Sequence, residues 1–238
     1  MQVNVREAAK LMCVSEKTIY RWVNQGKLPA FKLNEQYRFS RAELLEWATA
    51  QRINVSADIF SEPEKGETPI PGLADALKAS GIHYRVGGTD RDSVLKSAID
   101  LIPLPEEVDK TFLLQVLLAR ESLGSTGIGD GIAIPHVRNP IVLHVPRPMI
   151  ALCFMDHAIE FGALDGKPVH TIFVIVSPTT SAHLSLLSKL SFALRHPEFS
   201  DVIRRQGTRD EIIAAASVID NNVSHRSPDS GAEGGKNG

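Results

Sequence analysis

Apolar and polar positions along this chain predict its elements one after another. Near the start, Val5, Ala8, Ala9 and Met12 recur at helical spacing, and Asn4 stands where a cap is needed. Cys13 and Val14 break the period, Ser15 can cap a second helix over 16–25, and Gly26 stops it. Two short helices joined by about three residues form a helix-turn-helix. Residues 30–33 and 37–39 then alternate around Asn34, Glu35 and Gln36, a hairpin pattern in which Asn34 tolerates the left-handed turn conformation. Ser40 caps a third predicted helix over 41–50, with Glu43 at the capping-box position.

The pattern lapses from about residue 54 to 72. Residues 61–71 hold three prolines and four charges with no apolar period, and they read as a linker partly extended by proline. Beyond it, helices are predicted over 73–80, 90–101 and 110–123, the last strongly apolar and ended by Gly124. Residues 149–154 and 169–176 are β-like runs. Leu184, Leu187, Leu190 and Leu194 give a helix over 181–196 one buried face, with Pro197 at or just past its end. Shorter helices are expected over 199–206 and 210–218, and the Gly-, Ser- and Asn-rich tail 221–238 predicts disorder. The chain thus divides into a helix-turn-helix unit (1–53), a linker (54–72), a larger α+β unit (73–220) and a tail.

Composition agrees with two globular units: 238 residues, 43% hydrophobic and 23% charged, supply one sizeable core and one small one. The net charge of -2 hides an uneven distribution, because residues 1–60 carry nine Lys and Arg against six Asp and Glu. Opposite signs on the two parts suggest two partners, one of them polyanionic. Cys13 and Cys153 lie far apart in apolar stretches and read as buried free thiols in a reducing compartment. Met1 leads straight into polar helix-forming sequence, and apolar runs such as 171–176 are strand-sized, so the expected location is cytoplasmic, with no membrane partner.

The chemistry concentrates between Arg120 and His136. An apolar helix delivers Arg120 to a turn with four glycines in eight residues, Gly124, Gly127, Gly129 and Gly131. Such a turn lets backbone N–H groups converge on an anion, and Ser125 and Thr126 add hydroxyl donors. Ile132, Ala133 and Ile134 run on as a short strand, and Pro135 stiffens the approach to His136. An imidazole, with an unperturbed pKa of about 6.5, is a suitable nucleophile for phosphorus near neutral pH. Phosphoryl transfer mainly requires positioning and neutralisation of spreading negative charge, which a guanidinium and backbone donors supply. A nucleotide P-loop is excluded because no Lys-Ser/Thr follows the glycines. A zinc site on His136 and His183 lacks a Cys or carboxylate at ligand spacing.

The stretch Arg120-Glu121, Ser125-Thr126-Gly127-Ile128-Gly129 and Gly131-Ile132-Ala133-Ile134-Pro135-His136 resembles the enzyme IIA domain of the bacterial phosphotransferase system, of the fructose/mannitol type that includes the nitrogen-regulatory form. The resemblance spans about 73–220 and implies a mixed β-sheet flanked by helices. It implies that His136 takes phosphate from HPr or its nitrogen-branch paralogue, with Arg120 as the upstream arginine. His183, in His183-Leu184-Ser185-Leu186-Leu187, matches the second active-site histidine. Ser125, Thr126, Gly127 and Gly129 fall in the phosphate-binding loop. Val137-Arg138 stands where the family commonly has a small residue, and Arg138 is expected to add a phosphate contact or to alter carrier preference. The family uses no cofactor or metal here.

Residues 5–48 resemble an excisionase or MerR-like winged helix-turn-helix, carried by Val5-Arg6-Glu7-Ala8-Ala9, Ser15-Glu16-Lys17-Thr18-Ile19-Tyr20-Arg21-Trp22 and Tyr37-Arg38-Phe39-Ser40. Ile19, Trp22 and Val23 anchor the second helix, and Ser15, Lys17, Thr18 and Arg21 then face DNA. Lys32 and Arg38 suit backbone or minor-groove contact from the wing. Together the resemblances imply a regulatory phosphoacceptor coupled to DNA binding. The alternative is an enzyme IIA component that hands phosphate to a separate IIB sugar-transport component, since no IIB-like or IIC-like sequence follows, with the N-terminal module for localisation only.

Overall fold

The computed structural model describes residues 2–33, 36–51, 53, 72–137 and 145–224. The predicted hairpin turn at Asn34 and Glu35, the linker up to residue 71, Arg138 and the tail from residue 225 lie outside the described residues.

The N-terminal unit opens with a strand that the pattern did not announce, β1 (Gln2–Asn4), followed at once by α1 (Val5–Leu11). Asn4 ends the one and caps the other: its side chain accepts from the Glu7 N–H while the Glu7 carboxylate accepts from the Asn4 N–H. Cys13, at a positive φ, makes the turn, and Ser15 caps α2 (Glu16–Asn24). The hairpin β2 (Phe31–Leu33) and β3 (Gln36–Ser40) pairs antiparallel, and β1 adds to the other edge of β3. Ser40 accepts from the Glu43 N–H and starts α3 (Arg41–Ala50). Val3, Ala8, Met12, Ile19, Leu28, Phe39, Leu44, Leu45 and Ala48 form a small separate core.

Among the described residues, the larger unit is a three-layer sandwich around a five-stranded sheet. α4 (Leu73–Ser80) feeds β4 (Ile82–Val86), and α5 (Arg91–Leu101) and α6 (Lys110–Ser122) follow. Next come β5 (Gly127–Gly129), β6 (Ile132–Ala133), β7 (Met149–Ile159) and β8 (Val169–Val176). The chain closes with α7 (Thr180–Arg195), α8 (Pro197–Arg204) and α9 (Arg209–Ser224). Strand order is β4-β7-β8-β6-β5, with β4/β7 and β6/β8 parallel and β7/β8 and β5/β6 antiparallel. The expected α+β class with a mixed sheet flanked by helices is what the chain adopts.

Both faces of the sheet are covered, which is why β7 and β8 are continuous apolar runs rather than alternating ones. On β7, Met149, Ala151 and Cys153 pack with α5 and α6, whereas Ile150, Leu152 and Phe154 pack with α4, α7, α8 and α9. Leu186, Leu187 and Leu190 of α7 are fully buried on that second face. Each contributes about 1.5–3 kcal/mol of apolar burial.

Several expectations need correction. β7 continues five residues beyond 154, and β4 and β5 were not foreseen. Pro197 does not merely end α7; it occupies the first turn of α8, where a missing N–H costs nothing. α9 runs through Ser224, into the segment expected to be disordered from residue 221. Of the two thiols expected to be buried, Cys13 is exposed and only Cys153 is buried. Burial pushes the Cys153 thiol up to about 12, so it stays protonated and unreactive near neutral pH. Alkylation of the native protein at mildly alkaline pH is therefore expected to modify Cys13 alone, read by peptide mass; equal labelling of Cys153 would contradict that packing.

The two units meet through α7. Leu184 packs against the N-terminal core, the Thr49 hydroxyl bonds the Ser191 hydroxyl at 2.8 Å, and Arg195 Nη1 donates to the Ile53 carbonyl at 2.8 Å. α3 also lies against β5. Among the described residues, no helix is long and apolar enough to cross a membrane.

Candidate functional site

His136 sits on the segment leaving β6, in parallel bridge register with Ile175 of β8. Its neighbours point to opposite cores, Ile134 among the α7 side and Val137 among the α5/α6 side, so the segment is held from both faces. His136 Nδ1 lies 2.7 Å from the Ile134 carbonyl oxygen. A carbonyl only accepts, so Nδ1 carries the hydrogen, and in the neutral ring the lone pair is on Nε2. Nε2 is closed off from solvent, and His136 as a whole is 4% exposed.

His183 stands in the first turn of α7, its N–H bonded to the Thr179 carbonyl at 3.0 Å, and Thr179 caps the helix through its hydroxyl. The two rings face each other with centroids 5.2 Å apart and planes inclined by 37°. The positive end of the α7 dipole thus lies beside the imidazole pair, where it favours an anion.

Arg120, in the last turn of α6, donates from Nη1 to the Gly124 carbonyl at 2.9 Å, which ties the guanidinium to the start of the loop. The loop itself departs from the anion cradle expected of its glycines. Gly127 to Ala133 fold as a β-hairpin whose turn, Asp130-Gly131, has positive φ at both residues (52° and 73°), as a tight two-residue hairpin demands. Gly127 is required for a close approach: a Cβ there would lie 2.7 Å from the Ala163 Cβ. The Ser125 hydroxyl donates to the Phe161 carbonyl and accepts from the Gly127 N–H. Thr126 donates both its N–H and its hydroxyl to Glu121. Donors expected to point at phosphate therefore shape the loop in this state. Gly129 lies in β5 with φ of 92°, and Arg138 is outside the described residues.

Glu121 is the residue that sequence reasoning passed over. It is 3% exposed, and its carboxylate clasps Thr126 at 2.8 Å and 2.7 Å. The Thr126 carbonyl accepts from the Ile134 N–H at 3.0 Å, and the Ile134 carbonyl holds His136 Nδ1. One chain of hydrogen bonds thus runs from the end of α6 to the imidazole. The available signal was an acidic residue next to Arg120 on an otherwise apolar helix. Among the described residues, no group of three or more His, Cys, Asp or Glu could hold a metal ion.

In the N-terminal unit, Ser15, Lys17 and Arg21 are exposed on α2 and Thr18 is half-buried, with the Ser15 and Thr18 hydroxyls 3.0 Å apart. Ile19 is fully buried, and Trp22 packs on Trp47 at 5.0 Å. Tyr20 is exposed and meets the edge of Tyr37. Lys32 lies over the Tyr37 ring at 5.5 Å, and Arg38 donates to the Gln36 side chain at 3.1 Å.

Comparison with known proteins finds relatives for both units. Residues 3–52 match the model of a helix-turn-helix domain, of the excisionase-like kind anticipated. The nitrogen regulatory protein of Pseudomonas aeruginosa is 35% identical over 140 residues, 57% of this chain and 88% of that protein. A fructose-specific EIIABC component of the phosphotransferase system from Bacillus subtilis is 28% identical over 59% of this chain, which spans only 22% of that longer protein. The crystal structure of nitrogen regulatory protein IIA-Ntr from Neisseria meningitidis superposes with a TM-score of 0.53 at 29% identity, covering 60% of this chain and 98% of the other. Residues 76–217 match the model of the phosphoenolpyruvate-dependent sugar phosphotransferase system EIIA 2, and the chain belongs to that family.

Proposed function

We propose that this chain is a regulatory phosphoacceptor: an HPr-like carrier phosphorylates His136, and the phosphorylation state reaches the helix-turn-helix domain and changes its action at DNA. The observation that carries this reading is α7, which places His183 against His136 at one end and holds the helix-turn-helix domain along its length. Leu184, the residue after His183, packs into the helix-turn-helix core. A phosphoryl group adds roughly -1.5 to -2 charges, and on His136 it would arrive beside His183, the neighbour of Leu184 in the chain.

In the transfer step the carrier's N–P bond breaks as the His136 Nε2 lone pair forms a new one. The hydrogen stays on Nδ1, donated to the Ile134 carbonyl, so no proton need move at His136. Arg120 and the α7 N-terminus supply the positive charge that offsets the phosphoryl oxygens in this reading. Ser125, Thr126, Gly127 and Gly129 act by holding the loop, and Arg138 by adding a positive charge after the histidine. Because Nε2 is closed to solvent, the incoming carrier must open the site. Ser15, Lys17, Thr18 and Arg21 face DNA from α2, with Lys32 and Arg38 contributing from the wing.

The test is incubation of the full chain with phosphoenolpyruvate, enzyme I and HPr or its nitrogen-branch paralogue, then gel shifts with each form. One acid-labile phosphoryl group per chain is expected, with a several-fold change in DNA affinity. Absence of label from either carrier rejects the phosphoacceptor. Label without any effect on DNA binding leaves the second reading, an enzyme IIA component serving a separate IIB protein, which the likeness to the fructose-specific component favours.

A further inference from the structure

The seam between the two units encloses a cavity of about 290 Å³, lined by Thr49 of α3, Ile128, Asp130 and Ile132 of the β5/β6 hairpin, Ser191, Leu194 and Arg195 of α7, and Ser200 of α8. Small-molecule sites favour such seams, and this volume is at the lower end of their range. Its wall is chemically divided. Arg195 is half-buried, and among the described residues no carboxylate pairs with it; its Nη1 donates to the Ile53 carbonyl, a neutral acceptor. Burial holds its pKa below the usual arginine value, the mark of a cation short of solvation. A guanidinium has five N–H donors in a planar fork that fits a carboxylate, so most remain for a ligand. Ser200 adds a hydroxyl donor to the lining.

The other polar groups accept. The Ser191 hydroxyl donates to the Leu187 carbonyl at 2.7 Å, so in the 2.8 Å bond between Ser191 and Thr49 it is Thr49 that donates. Thr49 Oγ1 is left with lone pairs. Asp130, an exposed residue paired with Lys167 at 3.6 Å, adds a carboxylate to the lining. A second negative charge on a ligand would meet Asp130, whereas an ammonium would be welcome there. Ile128, Ile132 and Leu194 supply aliphatic surface beside these polar groups.

From this division we infer that the seam binds a small α-amino acid with an aliphatic side chain, its carboxylate on Arg195 and its ammonium toward Thr49 and Asp130. The ligand bridges α3 and α7, so it would brace the helix-turn-helix domain against the phosphotransfer domain. The site is separate from His136 and needs no phosphoryl donor.

The test uses the unphosphorylated full chain and three probes of one shape: L-leucine, 4-methylpentanoate, which lacks the ammonium, and 3-methylbutylamine, which lacks the carboxylate. Titration calorimetry is expected to show L-leucine binding with Kd below about 10 mM, each analogue at least about tenfold weaker. Saturating L-leucine should raise Tm by a few degrees. R195Q should weaken L-leucine at least tenfold. L194W, which fills the cavity from a half-buried wall while keeping Arg195, should abolish binding in a protein whose unfolding stays cooperative. No binding of L-leucine to the wild-type chain, equal binding of 4-methylpentanoate, or full binding retained by R195Q or L194W would each overturn the inference. None of these outcomes depends on whether His136 accepts phosphate.

Discussion

His136→Ala is expected to reduce phosphoryl incorporation from radiolabelled phosphoenolpyruvate, enzyme I and carrier by at least about a thousandfold, the scale of loss when a covalent nucleophile is removed. The reason lies in the tautomer of the ring. Nδ1 is committed to the Ile134 carbonyl, so Nε2 is the nitrogen able to attack. His183→Ala has a different expected signature. His183 faces His136 at 5.2 Å without a backbone that bridges them, so its loss removes charge stabilisation and ring placement but leaves the acceptor. Incorporation should slow by about 10²-fold and still reach one group per chain at long times. His136→Asn separates folding from chemistry, because its side-chain amide can replace Nδ1–H on the Ile134 carbonyl while offering no nucleophile. If His136→Asn or His136→Ala takes label at the wild-type rate, His136 is not the acceptor.

The histidine was legible because its surroundings are written contiguously, from Arg120 to His136, with His183 in a second compact motif. The helix-turn-helix was legible for a similar reason: Asn4, Ser15 and Ser40 announce their helices locally. What could not be read depends on pairing at a distance. β4, Ile82-His83-Tyr84-Arg85-Val86, alternates over only five residues, too short a run to announce itself, and it is a strand because β7 pairs with it. β5 is two glycines around an isoleucine, poor strand material that β6 holds in place. Asp130-Gly131 was a readable hairpin signal, passed over because the glycines suggested a phosphate cradle. Glu121 was marked only by its place beside Arg120: that its carboxylate turns inward follows from two donors of Thr126, five residues on, and only the folded loop brings them there.

Glu121→Ala is therefore expected to be among the most damaging single changes outside the cores, and to act in two measurable ways. Its carboxylate is buried and satisfies the Thr126 N–H and hydroxyl; truncation leaves that N–H without its partner, at about 1–3 kcal/mol per orphaned group, and opens a small void. A loss of about 2–4 kcal/mol in denaturant unfolding is expected. Glu121→Gln keeps an acceptor for the N–H and can donate its amide to the Thr126 oxygen, so it should lose about 1 kcal/mol. The second effect is on chemistry. Thr126 holds Ile134 and Ile134 holds His136 Nδ1, so loosening the first link lets the imidazole wander from the orientation that attack requires. Glu121 is thus a positioning residue, and Glu121→Ala should slow phosphorylation about tenfold under conditions where the protein remains folded, with Glu121→Gln restoring most of the rate. A purely structural role would lower stability while leaving the rate of the folded fraction unchanged. Coupling can be measured directly: in a cycle with Thr126→Val, the double variant should cost less than the sum of the singles by at least about 0.5 kcal/mol, because each single strands the other's partner. Additive losses would break the link between the end of α6 and the loop, and with it the account of how His136 is held.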